Sequence, residues 1–542
     1  MTQVQQFQRQ TKALIDDLKA VSGEYGLGND GNEFKIITQV FLYKFLNDKF
    51  IYEVKKLDAD IASADNVEEA LKAYNDDDYE MLTMQLSEST AQISPDQLIS
   101  SLFSRQNEPN FADIFDTTLL DIARINSGIF SAVTDGGEKI ALFENISKYV
   151  IEGKDDFCKA VINKLVSFSF EHIFDQKFDF YAGIFEYLIK DYNSNSGGTY
   201  AEYFTPHAVA KIMARCLVSG EVDNATCFDP SAGSGTLLMN LAHVIGEDKC
   251  SIYSQDISQK SSSLLRLNLI LNGLVHSIPN IVKGNTIKDP YHTKSDGQLQ
   301  KFDYIVANPP FKLNFSGYRD ELDSNSNKDR FFAGVPKTPK KDLDGMKIFT
   351  LFIQHILYCL SDVGKAAIVV PTGFTTASSG LEKKILKYLI DKKILRGAMS
   401  MPANIFANTG TNVSILFIDK EYEGDVVLID ASNLGITVKE DKNQKTILSD
   451  ADEQRIIETF TENQALEDFS VVVSYEAIAA KNYSLSAGQY FDVKIEYEEI
   501  TEVQFIEKLQ KFSLNFDELI DKGKKLDSEI KIQLSGLDLN EK

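Results

Sequence analysis

Residues 226–256 hold the pattern that most limits what this chain can fold into. Thr226-Cys227-Phe228-Asp229 is a short apolar run closed by Pro230. Ser231-Ala232-Gly233-Ser234-Gly235 is a Gly-x-Gly turn, and Thr236 opens a helical stretch to about Val244. Ser251-Ile252-Tyr253-Ser254-Gln255-Asp256 reads as a second strand ending in an acid, 23 residues after Gly233. Strand, glycine turn, helix and acid-tipped strand form the first half of a nucleotide-binding βαβ unit. The glycines let backbone approach a ligand closely, and an acid at the second strand's tip is placed for ribose hydroxyls. The third glycine of the dinucleotide pattern would fall at Leu238, and there is no Gly-Lys-Ser/Thr phosphate loop. A single-nucleoside cofactor therefore fits better than a dinucleotide. Asp256 is equally placed to cap the helix that follows it.

Further strands fit the same sheet. Ile281-Val282-Lys283 precedes Gly284-Asn285-Thr286, and Tyr304 to Ala307 precedes Asn308-Pro309-Pro310-Phe311. Two prolines end the latter strand abruptly. They donate no N–H, so this segment presents acceptors, a side-chain amide and an aromatic ring. That set suits an exocyclic amino group on a planar base: two acceptors for its hydrogens and a ring to stack on. The plainer reading is a strand followed by a proline turn. Upstream, Glu202-Tyr203-Phe204-Thr205-Pro206-His207 enters a helix from Ala208 to Leu217, with Thr205 the expected N-cap and Pro206 the first helical residue.

The remaining chain divides around this sheet. At 542 residues it is too long for one core. Phe34, Ile37, Val40, Phe41, Phe45 and Leu46 recur at helical spacing, Asp76-Asp77-Asp78 reads as a loop or helix start, and the first 150 residues read as helical. Another helix is expected over 178–192, ahead of a flexible stretch at 193–198. Residues 312–345 read as a long polar loop, followed by a helix over 346–360 and a strand over 366–370. Strands at 397–401 and 413–418, joined by a short connection, predict an antiparallel pair at the sheet's edge.

Net charge is −24, a poor starting point for gripping phosphates. The excess is uneven: residues 1–150 carry 13 Lys/Arg against 25 Asp/Glu, whereas 312–347 carry eight basic against six acidic residues. The charge balance thus leaves room for a phosphate-facing surface only locally, within 312–347, and any larger positive field would have to come from another subunit. Five scattered cysteines without a CxxC pair fit a reducing cytoplasm and predict neither disulfides nor a structural metal. No apolar run reaches membrane-spanning length, and residues 1–10 lack the apolar core of a signal peptide.

Asp229-Pro-Ser-Ala-Gly-Ser-Gly235 followed by Asn308-Pro-Pro-Phe311 resembles the S-adenosylmethionine-dependent amino-methyltransferases of DNA. The order of motifs resembles the N6-adenine class. The acidic helical start, the Tyr203-Phe-Thr-Pro206 entry and the Lys481-Asn-Tyr-Ser-Leu-Ser-Ala-Gly-Gln-Tyr490 segment resemble the modification subunit of type I restriction-modification systems, over nearly the whole chain. Ala201 departs from the glycine that many members carry there. The resemblance implies a doubly wound, Rossmann-like α/β sheet with an antiparallel edge strand, preceded by an all-α domain (1–165) and followed by a helical tail (491–542), with catalysis in 166–490. It assigns the target base to Asn308, Pro309, Pro310 and Phe311. S-adenosylmethionine falls to Glu202, Tyr203, Phe204, Thr205, Pro206, His207, Asp229, Ser231, Ala232, Gly233, Ser234, Gly235, Asp256, Asn285 and Thr286. The implied partners are double-stranded DNA, a specificity subunit shared by two modification subunits, and a restriction/translocase subunit in a complete system. Enzymes with related motifs methylate RNA bases or protein glutamines, and a catalytically silent scaffold is the third alternative.

The tail carries Phe505, Leu509, Phe512, Phe516, Leu519, Gly523, Leu526 and Ile530 at alternating spacings of four and three. That heptad stripe predicts either a helix lying on the chain's own core or one packed in a bundle with a partner. In the resembling family the tail helices pack against the specificity subunit.

Overall fold

A computed structural model describes residues 3–28, 31–171, 174, 183–185, 187–188, 205–406, 412–440, 443–491 and 502–535. The expected helix over 178–192 falls largely outside these residues, and the stretch 193–198 wholly so. Two compact units are present, Met1–Tyr490 and Phe491–Lys542.

The first unit is built on an eleven-stranded sheet. Its strands in chain order are β1 (Ala132–Thr134), β2 (Lys139–Ile140), β3 (Ala225–Asp229), β4 (Cys250–Asp256), β5 (Ile281–Lys283), β6 (Phe302–Ala307), β7 (Leu360–Pro371), β8 (Leu395–Ser400), β9 (Val413–Asp419), β10 (Val426–Asp430) and β13 (Ser470–Val473); β11 (Ile436–Glu440) and β12 (Asn443–Ile447) form a separate ribbon. The order across the sheet is β13-β10-β8-β9-β7-β6-β3-β4-β5-β1-β2. From β1 to β7 the pairs β1–β5, β5–β4, β4–β3, β3–β6 and β6–β7 are parallel. From β3 the chain winds outward through β4 and β5, then returns to lay β6 on the other side of β3. That reversal is the topological switch point, where ligands of open α/β sheets bind beyond the strands' carboxyl ends.

β6 is apolar because both sheet faces are covered: Ile305, Val306 and Ala307 are all buried. Asp303 staples it to β3, its Oδ2 accepting from the Thr226 N–H (3.0 Å) and hydroxyl (2.8 Å) while its own N–H donates to Thr226 Oγ1 (3.1 Å). Phe228 and Phe302 stack beside that staple, 4.4 Å apart and 19° from parallel.

The expected antiparallel pair exists as β8–β9 but lies inside the sheet, because β9 also pairs antiparallel with β7, and β10 and β13 extend beyond β8. Val426-Val-Leu-Ile429 and Val471-Val-Val473 supply the apolar runs that cover its outer side. The antiparallel edge strands are β13 and β2.

The N-terminal region is helical apart from the β1–β2 hairpin. The six apolar positions read from sequence all fall on the helix Gly31–Leu57 and are buried. Asp76–Asp78 open a helix, with the Asn75 side chain accepting from the Asp78 N–H. The hairpin adds to β5 and so covers an edge that would otherwise expose unpaired backbone groups. Buried Arg266 secures it by donating to the carbonyls of Ile140 and Ala141, both at 2.9 Å.

Residues 312–345 are not a structureless loop. Phe315, Leu322, Phe331 and Val335 bury against Ile287, Ile348, Leu351 and Phe352 in a small core of their own, and the next helix is Phe349–Cys359. Apolar residues at irregular spacing show no period, so sequence pattern missed this packing.

In the second unit the described element is one helix, Glu502–Ser535. Its heptad side chains are all exposed, Phe512 at 69% and Leu519 at 66% among them. Ile506 (47%) and Ile520 (41%) lie one position on from the stripe and widen it.

Candidate active site at the switch point

Of the residues named from sequence, Thr205, Asp229, Ser231, Ala232, Ser234 and Asn308 meet at the carboxyl ends of β3 and β6, whereas His207, Asp256, Asn285, Thr286 and Phe311 lie outside the pocket that those six line. Thr205, Asp229, Ser231, Ala232, Ser234, Thr236, Leu237 and Asn308 line one small pocket. Asp229 ends β3 with 1% of its surface exposed. Its Oδ1 accepts from the Ser231 N–H (2.8 Å) and hydroxyl (3.3 Å), closing the first turn of the glycine loop. Burial pushes this carboxyl up to about 8, and the like charge of Asp256 adds to the rise against the lowering by Ser231.

Asp256 ends β4, half-buried, and accepts from two backbone groups: the Gly233 N–H at 3.0 Å and the Ser258 N–H at 2.8 Å. Its carboxyl is also raised, chiefly by burial. The helix cap is Ser258, whose hydroxyl accepts from the Ser261 N–H, so Asp256 instead ties the glycine loop to the second strand. Gly235 sits at φ +83°, where a Cβ would lie 2.2 Å from Leu265 Cδ1. Only glycine meets both the left-handed turn and the close approach of the helix Gln259–Leu271.

Beyond β5, Thr286 is buried and its hydroxyl donates to the Pro230 carbonyl at 2.7 Å, joining this turn to the glycine loop. Asn285 Oδ1 accepts from the N–H groups of Ile287 and Lys288 (3.1 Å each), and its Nδ2 donates to Tyr318 Oη at 3.2 Å.

Asn308 follows β6 directly, with Pro309 buried and Pro310 half-buried. Its Nδ2 donates to Thr205 Oγ1 at 3.1 Å. Thr205 therefore does not cap its helix as the sequence suggested. Pro206, with ψ 140°, is the N-cap residue and the helix is His207–Leu217, without a side-chain cap. The threonine hydroxyl is turned into the pocket. His207 instead reaches the glycine-loop helix, its Nδ1 3.3 Å from Asn240 Nδ2. Phe311 is half-buried and meets Phe349 edge to face at 6.3 Å; Phe349 meets Phe374 likewise at 6.0 Å. Glu202, Tyr203 and Phe204 lie outside the described residues.

Arg330 is a site residue that sequence reading missed. It is buried at 5% exposure and donates to the Thr286 carbonyl (2.8 Å), the Ile287 carbonyl (2.9 Å) and His355 Nδ1 (3.0 Å). Burial, aided by the arginine beside it, holds His355 well below its usual range, leaving a neutral ring that can accept. The segment following Phe311 is thereby bolted to the turn after β5. The one available signal was an arginine between the apolar residues Leu322 and Phe331.

Among the described residues no cluster of three or more His, Cys, Asp or Glu could hold a metal ion, and no helix is long and apolar enough to cross a membrane.

Comparison with known proteins follows the same outline. The N-6 DNA Methylase family profile matches residues 176–499. The type I restriction enzyme MpnII methylase subunit of Mycoplasma pneumoniae is 26% identical over 94% of this chain and 95% of its own length. The MjaIX methylase subunit of Methanocaldococcus jannaschii is 29% identical over 70% of this chain and 66% of its own. A crystal structure of a type I restriction-modification methyltransferase subunit from Streptococcus thermophilus shares the fold, with a TM-score of 0.71 at 22% identity, over 89% of this chain and all of that one. With the profile covering more than half of its length and type I methylase subunits among its relatives, the chain belongs to the N-6 DNA methylase family.

Proposed function

We propose that the chain is the modification subunit of a type I restriction-modification complex. It transfers a methyl group from S-adenosylmethionine to N6 of an adenine turned out of double-stranded DNA, at sites chosen by a separate specificity subunit. The observation that carries this reading is the shared pocket of Asn308 and Asp229 at the switch point.

The residues present fit the cofactor. Asp229 is a buried carboxyl whose hydrogen-bond partners are both on Ser231 and whose neighbouring charge, Asp256, has the same sign. A ligand carrying a sulfonium and an ammonium supplies the missing positive charge. The tight glycine turn would let backbone approach its methionine part, Asp256 would meet the ribose hydroxyls, and Asn285 and Thr286 would lie near its adenine. Bound there, S-adenosylmethionine supplies an electrophilic methyl group.

The chain's own residues activate the other reactant. Adenine N6 is a weak nucleophile because its lone pair is delocalised into the ring. Asn308 Oδ1 and the Pro309 carbonyl accept its two N–H groups and draw the nitrogen towards a tetrahedral geometry. The lone pair is then free to attack the methyl carbon in line as its bond to sulfur breaks, and the alkylated nitrogen, now cationic, gives up its surplus proton to solvent. Orientation and fixed acceptors supply the rate, without a strong base. Phe311, held edge to face by Phe349, stacks on the extruded base. Lys312, Lys337, Lys340 and Lys341 are exposed on the segment that follows and give phosphates a local contact in an acidic chain. In this reading residues 1–165 form an accessory domain, 166–490 the catalytic domain, and 491–542 the segment that binds the specificity subunit.

Methyl transfer from labelled S-adenosylmethionine to DNA, RNA and protein, with and without the co-expressed specificity subunit, tests the proposal. Label in adenine of duplex DNA, dependent on that subunit, is expected. Label confined to RNA or protein overturns it.

A further inference from the structure

We infer that the first two turns of the helix Gly380–Asp391 form a DNA-backbone surface beside the target base, where Lys383, Lys384 and Lys387 meet phosphates of the duplex flanking the extruded adenine. The inference rests on the methyltransferase reading above and adds a surface that neither the glycine loop nor the Asn-Pro-Pro-Phe motif contains.

In a chain of net charge −24, residues 337–393 hold ten lysines against five acidic residues. The helix concentrates that excess. Its first-turn acid, Glu382, is already ion-paired with Lys347. Among the described residues no carboxylate pairs with Lys383 or Lys384, and Lys387 reaches only Asp391, at 4.0 Å.

Neutral groups hold these ammonium groups instead, which fixes a cation without cancelling it. Lys383 Nζ donates to the Asn482 carbonyl and, at 2.6 Å, to Asn482 Oδ1, and lies 4.6 Å from the centre of the Tyr483 ring. Lys387 shares that ring at 6.0 Å, and Lys384 donates to the Ala333 carbonyl at 3.4 Å. Asn482 and Tyr483 build the cradle from consecutive left-handed residues, φ 54° and 57°. For a bulky tyrosine that backbone is an outlier, of the kind that persists at functional sites. Burial, then the like charge of Lys387, holds Lys383 below its usual range. A phosphate between the two lysines relieves that repulsion.

The surface lies on the base's side of the sheet. β7 runs parallel to β6, so both end at the same edge. The helix begins six residues after Phe374, which meets Phe349 and through it Phe311. Phe332, 36% exposed, stacks on Tyr388 at 4.1 Å and joins the helix to the segment carrying Lys337, Lys340 and Lys341. A continuous stripe of uncancelled cations is the footprint of a phosphate backbone. Lysines are depleted from the cores of protein interfaces.

The test uses the full chain in complex with its specificity subunit, and measures binding to cognate and non-cognate duplexes across a range of salt. One variant combines Lys383→Gln, Lys384→Gln and Lys387→Gln. A second, Lys154→Gln, Lys159→Gln and Lys164→Gln on the helix Lys154–Val166, removes the same charge elsewhere. A third, Lys383→Arg, Lys384→Arg and Lys387→Arg, keeps the charge in place. The first is expected to weaken binding about tenfold to a hundredfold at physiological salt and to flatten the slope of log Kd against log salt by about 2–3, at about 0.9 per lost phosphate contact. The loss is equal on both duplexes, because phosphates carry no sequence, while S-adenosylmethionine Kd and co-purification of the specificity subunit hold. The other two variants stay within about threefold of wild type. Wild-type affinity and slope in the first variant overturn the inference. So does an equal loss in the second, which reports net charge alone, a loss in the third, which reports packing, or loss of the specificity subunit, which makes this face a protein contact. Failure of the wild-type complex to bind or methylate DNA overturns the functional reading itself, and that arm is read without the variants.

Discussion

If the cofactor's positive charge sits beside Asp229, S-adenosylmethionine binding is expected to release a proton. The Asp229 carboxyl is raised to about 8 by burial, with Asp256 adding to the rise. At pH 7 it is therefore about 90% neutral in the ligand-free protein. An opposite charge at hydrogen-bond range lowers a carboxyl pKa by about 1–3, which puts the bound value near 5–7. Binding at pH 7 then releases roughly half to one proton, and affinity strengthens by up to about 1.4 kcal/mol per pH unit as pH climbs towards 8. Titration calorimetry at pH 7 in phosphate and in Tris, whose ionisation heats differ, reads the released proton directly. Asp229→Asn removes the titrating group and should erase both the buffer dependence and the pH slope. The same group acts on stability in a defined window. Its folded value lies above its unfolded one, so between about pH 4 and 8 the folded chain holds a proton that the unfolded chain has lost. Its contribution to stability falls as pH rises through that range. Equal heats in the two buffers, or unchanged proton release in the asparagine variant, would refute the placing of the cofactor's positive charge beside Asp229.

Gly235→Ala combines left-handed strain of about 1–2 kcal/mol with about 1–3 kcal/mol of overpacking against buried Leu265. At about 2 cal/mol/K per residue over the unit Met1–Tyr490, that lowers Tm by about 2–5 °C, and an unshifted Tm counts against the close packing. Arg330→Met strands two buried carbonyls and is expected to cost about 3–5 kcal/mol in urea unfolding, with weaker cofactor binding because the turn at Asn285 loosens. Unchanged stability and affinity would show that the bolt is dispensable. Truncation after Tyr490 should leave a folded, cofactor-binding chain that no longer co-purifies with its specificity subunit; a complex of full affinity would contradict a partner role for the exposed stripe of Glu502–Ser535.

The site was legible in sequence wherever backbone chemistry dictated it. Gly235 betrays a left-handed turn that glycine makes at least cost, and the proline pair betrays the abrupt end of β6. Consecutive apolar residues marked β6 and the core of β7, because strands buried on both faces leave no polar alternation. What stayed hidden depended on distant partners. Thr205 looked like a cap because its preference is local, whereas its actual partner is Asn308. Arg330 looked like one more cation in a basic loop until its three acceptors were found. β10 and β13 carried visible apolar runs, yet their place outside β8 follows from sheet order, which no single run encodes.

Activation of the adenine amino group by Asn308 is read out by nucleoside analysis of methylated DNA. Duplex DNA is incubated with S-adenosylmethionine and the complex carrying either wild-type chain or Asn308→Ala, then digested and analysed by mass spectrometry. N6-methyldeoxyadenosine is expected with the wild type and almost none with the variant, whose cofactor Kd should stay within about threefold because the lost amide meets the base rather than the cofactor. Methylation on another base, or N6-methyldeoxyadenosine formed by the variant at the wild-type rate, would contradict that role.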